Sequence, residues 1–179
     1  MSATSDGNGA GGRRYYGKYR GTVLNNLDPE QRGRLQATVP DVSALLPTSW
    51  ALPCLPIAST QMGMYAIPQI GAGVWIEFEQ GDPDYPIWTG CWWPTAAQVP
   101  SLALATPTPV PHIVLQTTAQ NVLQISDAPG PTGGIMLKST TGAMVLVNDT
   151  GITISNGKGA MITLIGNIVD VNSGALTVV

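Results

Sequence analysis

The sequence predicts an all-β chain with two unlike halves, a small barrel followed by a stack of short strands. Three observations predict it. Charged residues make up 11% of the chain, where roughly a quarter is usual. With 21 Gly and 15 Pro, such a composition favours short strands and turns over helices. The aromatic residues all lie at or before Trp93 and the arginines at or before Arg34. Beyond Pro94 the only charges are Asp127, Lys138, Asp149, Lys158 and Asp170, while short apolar segments keep recurring.

Residues 1–14 begin MSATSDGNGAGG, polar and glycine-rich, and read as a disordered tail without the apolar core of a secretory signal. Residues 15–93 read as the barrel. In GVWIEFE, Val74, Ile76 and Phe78 point one way and Trp75, Glu77 and Glu79 the other; in GRLQATV, Leu35, Ala37 and Val39 share a face. Val23 belongs to the same core. YYGKYRGTVL, WALPCLPIA and YPIWTGCWW supply three further strands, with Asp28-Pro29 and Gly81-Asp82-Pro83 at turns. Five strands in about 80 residues fit an OB-like, partly open barrel, and an SH3-like barrel is the structural runner-up.

Residues 94–111 carry five prolines and read as a stiff, extended connector. In residues 112–179, strand candidates begin at Ile113, Val122, Ile135, Met144, Ile152, Met161, Ile168 and Leu176, spaced 7 to 13 residues apart with Gly or Asn between them. That rhythm is a β-repeat. Strands this short, without one aromatic ring to thicken a core, leave apolar faces and edges open. Winding identical chains about a three-fold axis hides both. The expected product is a homotrimer, a trimeric intertwined β-helix or β-prism, with Ile154, Leu164 and Val171 in its core.

The motifs now carry a resemblance. RGTVLNNLDPEQRGRLQATVPDV and IPQIGAGVWIEFEQGDPDYPIWTGCWW resemble the OB-fold base of contractile-tail spikes, the phage baseplate assembly protein V and VgrG-like family. The strongest stretch runs from Pro68 through Gly90; Asp28-Pro29 with Gly33-Arg34 resembles the first hairpin. The resemblance implies a structural central spike of a phage tail, tailocin or injection system. It implies a baseplate hub protein at the OB end and contact with a target membrane only on contraction. It also implies assembly in the cytoplasm before incorporation into the particle. Spikes of this family commonly end in a platform capped by a PAAR-type tip protein. Leu176, Thr177, Val178 and Val179 are the residues expected to form it, because the closing segment GALTVV bears no charge. The histidine pairs that hold an axial metal ion in some relatives are missing, since His112 is the single histidine.

Candidate chemistry meets a structural explanation at each residue, so no catalytic, cofactor or metal site is expected. Asp82 and Asp84 form a DxD of the kind that can hold a cation, and are read as a polar hairpin turn in which Asp82 bonds its own backbone. Glu77 and Glu79 emerge on one strand face and are expected to be solvated or paired with Arg20, Arg32 or Arg34. His112 reads as a packing residue at a junction. Cys54 and Cys91 read as buried free thiols. Trp92 and Trp93 suit base stacking, but a net charge of −3 argues against nucleic acid. No run of apolar residues is long enough to span a bilayer as a helix. The alternative function is a polysaccharide-binding or polysaccharide-processing β-solenoid. In that reading Asp127, Asp149 and Asp170, spaced 22 and 21 apart, stack in one acidic column.

Overall fold

The computed structural model describes residues 13–105 and 110–178. The expected tail therefore lies outside the described residues up to position 12, as do 106–109 of the connector and Val179. The chain divides into two compact units, Met1–Pro94 and Thr95–Val179.

The first unit is built on five strands: β1 (Tyr19–Asn25), β2 (Gln36–Thr38), β3 (Leu52–Pro53), β6 (Gly73–Phe78) and β7 (Pro86–Trp92). A two-residue hairpin, β4 (Ala58–Ser59) with β5 (Met62–Gly63), lies in the connection between β3 and β6. The sheet order is β2-β1-β6-β7-β3, with β3 parallel to β7 and the other pairs antiparallel. Leu35 and Ala51 then exchange backbone hydrogen bonds of 3.2 and 2.7 Å just before β2 and β3. That bridge brings the last strand back to the first, giving the five-stranded OB order.

Alternation dictates the filling. Val23, Leu35, Ala37, Val39, Ala51, Val74, Ile76, Phe78 and Trp88 form one buried cluster, including every core residue expected from the sequence. Phe78 also meets Tyr15 and Tyr19 at ring-centroid distances of 6.0 and 5.7 Å. Gly73 is a packing requirement: a Cβ there would sit 2.7 Å from the Trp92 indole.

The connector departs from expectation. Ala96–Gln98 form a 3₁₀ turn and Ser101–Ala105 a single helical turn, here α2 after the short α1 (Pro40–Ser43). Pro100 precedes α2, where its missing N–H costs nothing. Leu102, Ala103, Leu104 and Ala105 are strong helix formers, so local propensity overrides the extended bias of the flanking prolines.

The second unit is an eight-stranded antiparallel meander in sequence order. Its strands are β8 (His112–Gln116), β9 (Val122–Ser126), β10 (Gly134–Lys138), β11 (Met144–Asn148), β12 (Gly151–Ser155), β13 (Met161–Ile165), β14 (Ile168–Val171) and β15 (Leu176–Val178). The turns along one side repeat a single device. Thr117 Oγ1, Ser139 Oγ and Asn156 Oδ1 each accept a hydrogen bond from the backbone N–H four residues on, at 3.2, 3.1 and 3.1 Å. The same residues donate their own N–H to the carbonyl of that fourth residue. These turns also touch one another: Thr140 N–H donates to Asn121 Oδ1, and a Cβ on Gly157 would meet the Gly142 backbone at 2.6 Å. Gly157 also has φ +70, a left-handed conformation that glycine adopts without strain.

Candidate functional site

Register turns the meander into a patterned surface. Cross-strand partners point to the same face of a sheet, and so do residues two apart on one strand. The first rank runs Ile113, Ile125, Ile135, Val147, Ile152, Leu164, Val169 and Val178. The second runs Leu115, Leu123, Leu137, Val145, Ile154, Ile162, Val171 and Leu176. Both are wholly aliphatic across all eight strands. In the single chain much of this face is open, from 37% exposure at Leu164 to 60% at Leu115. An open groove of about 550 Å³ runs over part of it, beside Leu123, Leu137, Val145 and Ile154.

The opposite face is different in kind. Its central rank reads Val114, Gln124, Met136, Leu146, Thr153, Thr163 and Asp170, ending at Thr177 by backbone register. None of the five charges beyond Pro94 stands on the aliphatic ranks. A contiguous aliphatic face of this size, rimmed by polar turns, marks an interaction surface.

Ile154, Leu164 and Val171, expected in the trimer core, all stand on the aliphatic face, Leu164 in the first rank and the others in the second. Leu176 and Val178 occupy the same face on the edge strand β15. Thr177 is placed by its backbone, and Val179 lies outside the described residues. Sequence reasoning singled out five of the sixteen face residues, three for the trimer core and Leu176 and Val178 for the tip. The signal for the rest was present: every strand carries two Ile, Leu or Val residues two positions apart.

The barrel's polar candidates are absorbed by local structure. The Asp28 side chain is almost fully covered and organises the β1–β2 connection. Its oxygens accept the N–H groups of Glu30, Arg32 and Arg34 at 3.0, 2.8 and 3.2 Å, plus Nε and Nη2 of Arg34 at 3.0 and 2.7 Å. The Arg34 guanidinium, with those backbone donors, holds the Asp28 carboxyl well below the usual carboxylate range. Arg34 in turn lies over the Trp50 ring, and Trp88 Nε1 donates to the Gly33 carbonyl at 3.1 Å. The Asp28-Pro29 and Gly33-Arg34 motif is thus a folding knot.

Glu77 pairs with Lys18 at 2.6 Å, not with an arginine. Register explains the correction: Tyr19 opposes Ile76 and Arg20 opposes Trp75, which brings Lys18 to Glu77. Arg20 instead lies over the Trp75 and Trp92 rings, 5.7 and 5.0 Å from their centroids, while Trp93 is exposed. Asp82 Oδ1 accepts the Asp84 N–H and its Oδ2 pairs with Arg14, as a turn residue does. Glu79 closes β6 at a 3₁₀ turn.

Cys54 and Cys91 are exposed free thiols, contrary to expectation. Each sits near a strand end, one residue past β3 and next to last in β7, where the strands leave the core. Partial desolvation pushes the Cys91 thiol above its ordinary value. His112 Nε2 lies 3.0 Å from the Ala103 carbonyl and Nδ1 3.1 Å from that of Val110, so it ties α2 to β8.

The acidic column does not form. Asp170 is mid-strand between Thr163 and Thr177, accepting the Gly174 N–H, whereas Asp127 lies in the irregular segment after β9 and Asp149 in the turn after β11. Among the described residues no three His, Cys, Asp or Glu side chains converge in a metal-binding group, and no helix is long and apolar enough to cross a membrane.

Comparison with known families supplies the remaining observation. Residues 19–93 match the type VI secretion system/phage-baseplate injector OB domain, and residues 112–177 match the phage baseplate V C-terminal trimerisation domain. No curated protein matches the chain. The first match coincides with the barrel strands and the second with the meander, whose aliphatic face is the surface a trimer needs. The chain belongs to the phage baseplate V family.

Proposed function

We propose that this protein is the central spike of a contractile injection machine, a structural part that links the baseplate hub to a membrane-piercing tip and carries out no catalysis. The observation that carries the reading is the uninterrupted pair of aliphatic ranks on a chain with a trimerisation domain. Three such sheets, each turning its aliphatic face to a common axis, make a closed prism that hides the aliphatic ranks. A prism of hydrogen-bonded strands is stiff along its length, as a puncturing rod must be. The hub is assigned to the barrel end because the barrel is a closed, independently packed unit, able to serve as a rigid base. The acids expected to suggest chemistry are engaged in ion pairs or turns, which favours a structural role.

In the meander, β15 is the sheet edge, and its Leu176 and Val178 end the two aliphatic ranks. A PAAR-type tip protein is the proposed cover for that edge. Deleting Ala175–Val179 removes one edge strand and leaves seven. The truncated chain should remain trimeric and lose its capture of a co-expressed PAAR-type protein. Capture at full strength would place the tip contact elsewhere.

A further inference from the structure

The face opposite the aliphatic ranks holds a cavity that the spike reading does not use. It lies between α2 and the sheet, about 490 Å³ in volume, and no charged side chain lines it. Leu102 and Ala105 line it from α2, Met136 and Leu146 from the sheet, and Pro131 from the loop before β10. The remaining feature is Gln124, which also lines it and is only 7% exposed. Its Oε1 is buried and is the one such side-chain atom without a hydrogen-bond partner among the described residues. Its cross-strand neighbours on that face, Val114 and Met136, are apolar and offer it nothing. Buried acceptors without a donor are rare in native proteins, and each calls for an explanation.

We propose that this cavity binds a neutral amphiphile, an aliphatic chain carrying one hydroxyl group whose O–H donates to Gln124 Oε1. Three chemical arguments select that class. The apolar lining suits a hydrocarbon chain, and the volume falls in the range of sites for small ligands. An apolar cavity of roughly 150 Å³ already takes benzene, so this one has room for a chain of about eight to ten carbons. The free group is an acceptor, so the ligand must donate. With no charge in the lining, a carboxylate would lack a cation and an ammonium would lack an anion, each buried at a cost. A hydroxyl carries a donor and no charge. The aliphatic ranks lie on the other face, so assembly through them leaves this cavity accessible.

The experiment uses the full-length trimer with its methionine methyl groups carbon-13 labelled, titrated with 1-octanol, octanoate and octylammonium. Octanol should shift the Met136 methyl resonance saturably and bind at least tenfold tighter than either charged analogue. Gln124→Met keeps the side chain's length and removes the acceptor; it should weaken octanol at least fivefold and narrow its advantage over the ions. Leu102→Trp fills the cavity from α2 without changing a sheet residue and should abolish the octanol-induced shift of Met136, which keeps the test decisive if Gln124→Met does not assemble. The inference is overturned if octanol fails to move Met136 up to its solubility limit. In that case water or a neighbouring copy's side chain occupies the space. It is equally overturned if Gln124→Met preserves the wild-type preference for octanol.

Discussion

Ile154 and Thr153 are neighbours on β12 that face opposite ways, and placing an aspartate at each in turn tests the assignment of the inner face. In the single chain Ile154 is 45% exposed. Covering the remainder on assembly is worth about 0.7–1.4 kcal/mol at the usual value for a large aliphatic side chain. Ile154→Asp forfeits that and puts a carboxylate into a dry interface, at a cost of several kcal/mol per ion. Protonating the acid instead costs about 4 kcal/mol at pH 7, from an ordinary value near 3.9. Three-fold symmetry applies the penalty three times, so the trimer loses on the order of 10 kcal/mol or more by either route. At about 1.4 kcal/mol per tenfold, that is roughly seven powers of ten in the association constant. Thr153→Asp sits beside Leu146 and Thr163 on the opposite face, half-buried in the single chain, and keeps its charge off the aliphatic ranks. Light scattering should give the wild type and Thr153→Asp about three times the 18.7 kDa chain mass. Ile154→Asp should give one chain mass or aggregate. A normal trimer from Ile154→Asp, or dissociation of Thr153→Asp alone, would refute the assignment.

Phe78→Ala should destabilise the barrel by about 3–5 kcal/mol in a denaturant titration, because the ring is buried against Tyr15 and Tyr19. A loss below about 1 kcal/mol would mean that β6 faces the other way. Asp28 has its carboxyl held down in the folded state, so its contribution is present above the ordinary carboxylate range and is lost as pH falls below it. Asp28→Asn should therefore lower the barrel's Tm at pH 7 and flatten its decline between about pH 5 and 3; parallel curves for mutant and wild type would dispose of the knot.

The barrel was legible because its signals are local. Val74, Ile76 and Phe78 alternate with polar neighbours, and a two-residue period has one geometric solution. The pairing of Glu77 was not legible, because choosing Lys18 over Arg20 requires the β1–β6 register, which no single strand records. The connector failed for a related reason. Proline density reports backbone stiffness but not direction, and Pro100 starts a helical turn as readily as it extends a chain. In the repeat, the spacing of first apolar positions mixes the two faces: Ile113, Ile135, Ile152 and Leu176 belong to the aliphatic ranks, whereas Val122, Met144, Met161 and Ile168 point the other way. Reading pairs two apart within each strand separates them. The Gln124 cavity had no sequence signal, since one glutamine in a β-repeat reads as a solvated residue until a helical turn is laid over it.

The two units differ in how they reach stability, and the difference bears on how such a spike is built. Among the described residues, the buried hydrophobic side chains are Val23, Leu35, Ala37, Val39, Ala51, Val74, Ile76, Phe78, Trp88 and Val122. Only Val122 belongs to the meander. The barrel has a closed core and needs no neighbour to fill it, whereas the meander offers sixteen aliphatic side chains to a surface that another copy must cover. Its folding and its assembly are therefore one equilibrium, and its stability rises with protomer concentration as for any obligate oligomer. The chains must therefore meet with their aliphatic faces still uncovered. An excess of exposed aliphatic surface before that meeting is an aggregation hazard. The capped turns at Thr117, Ser139 and Asn156 reduce it by fixing each hairpin's register locally, before any partner arrives.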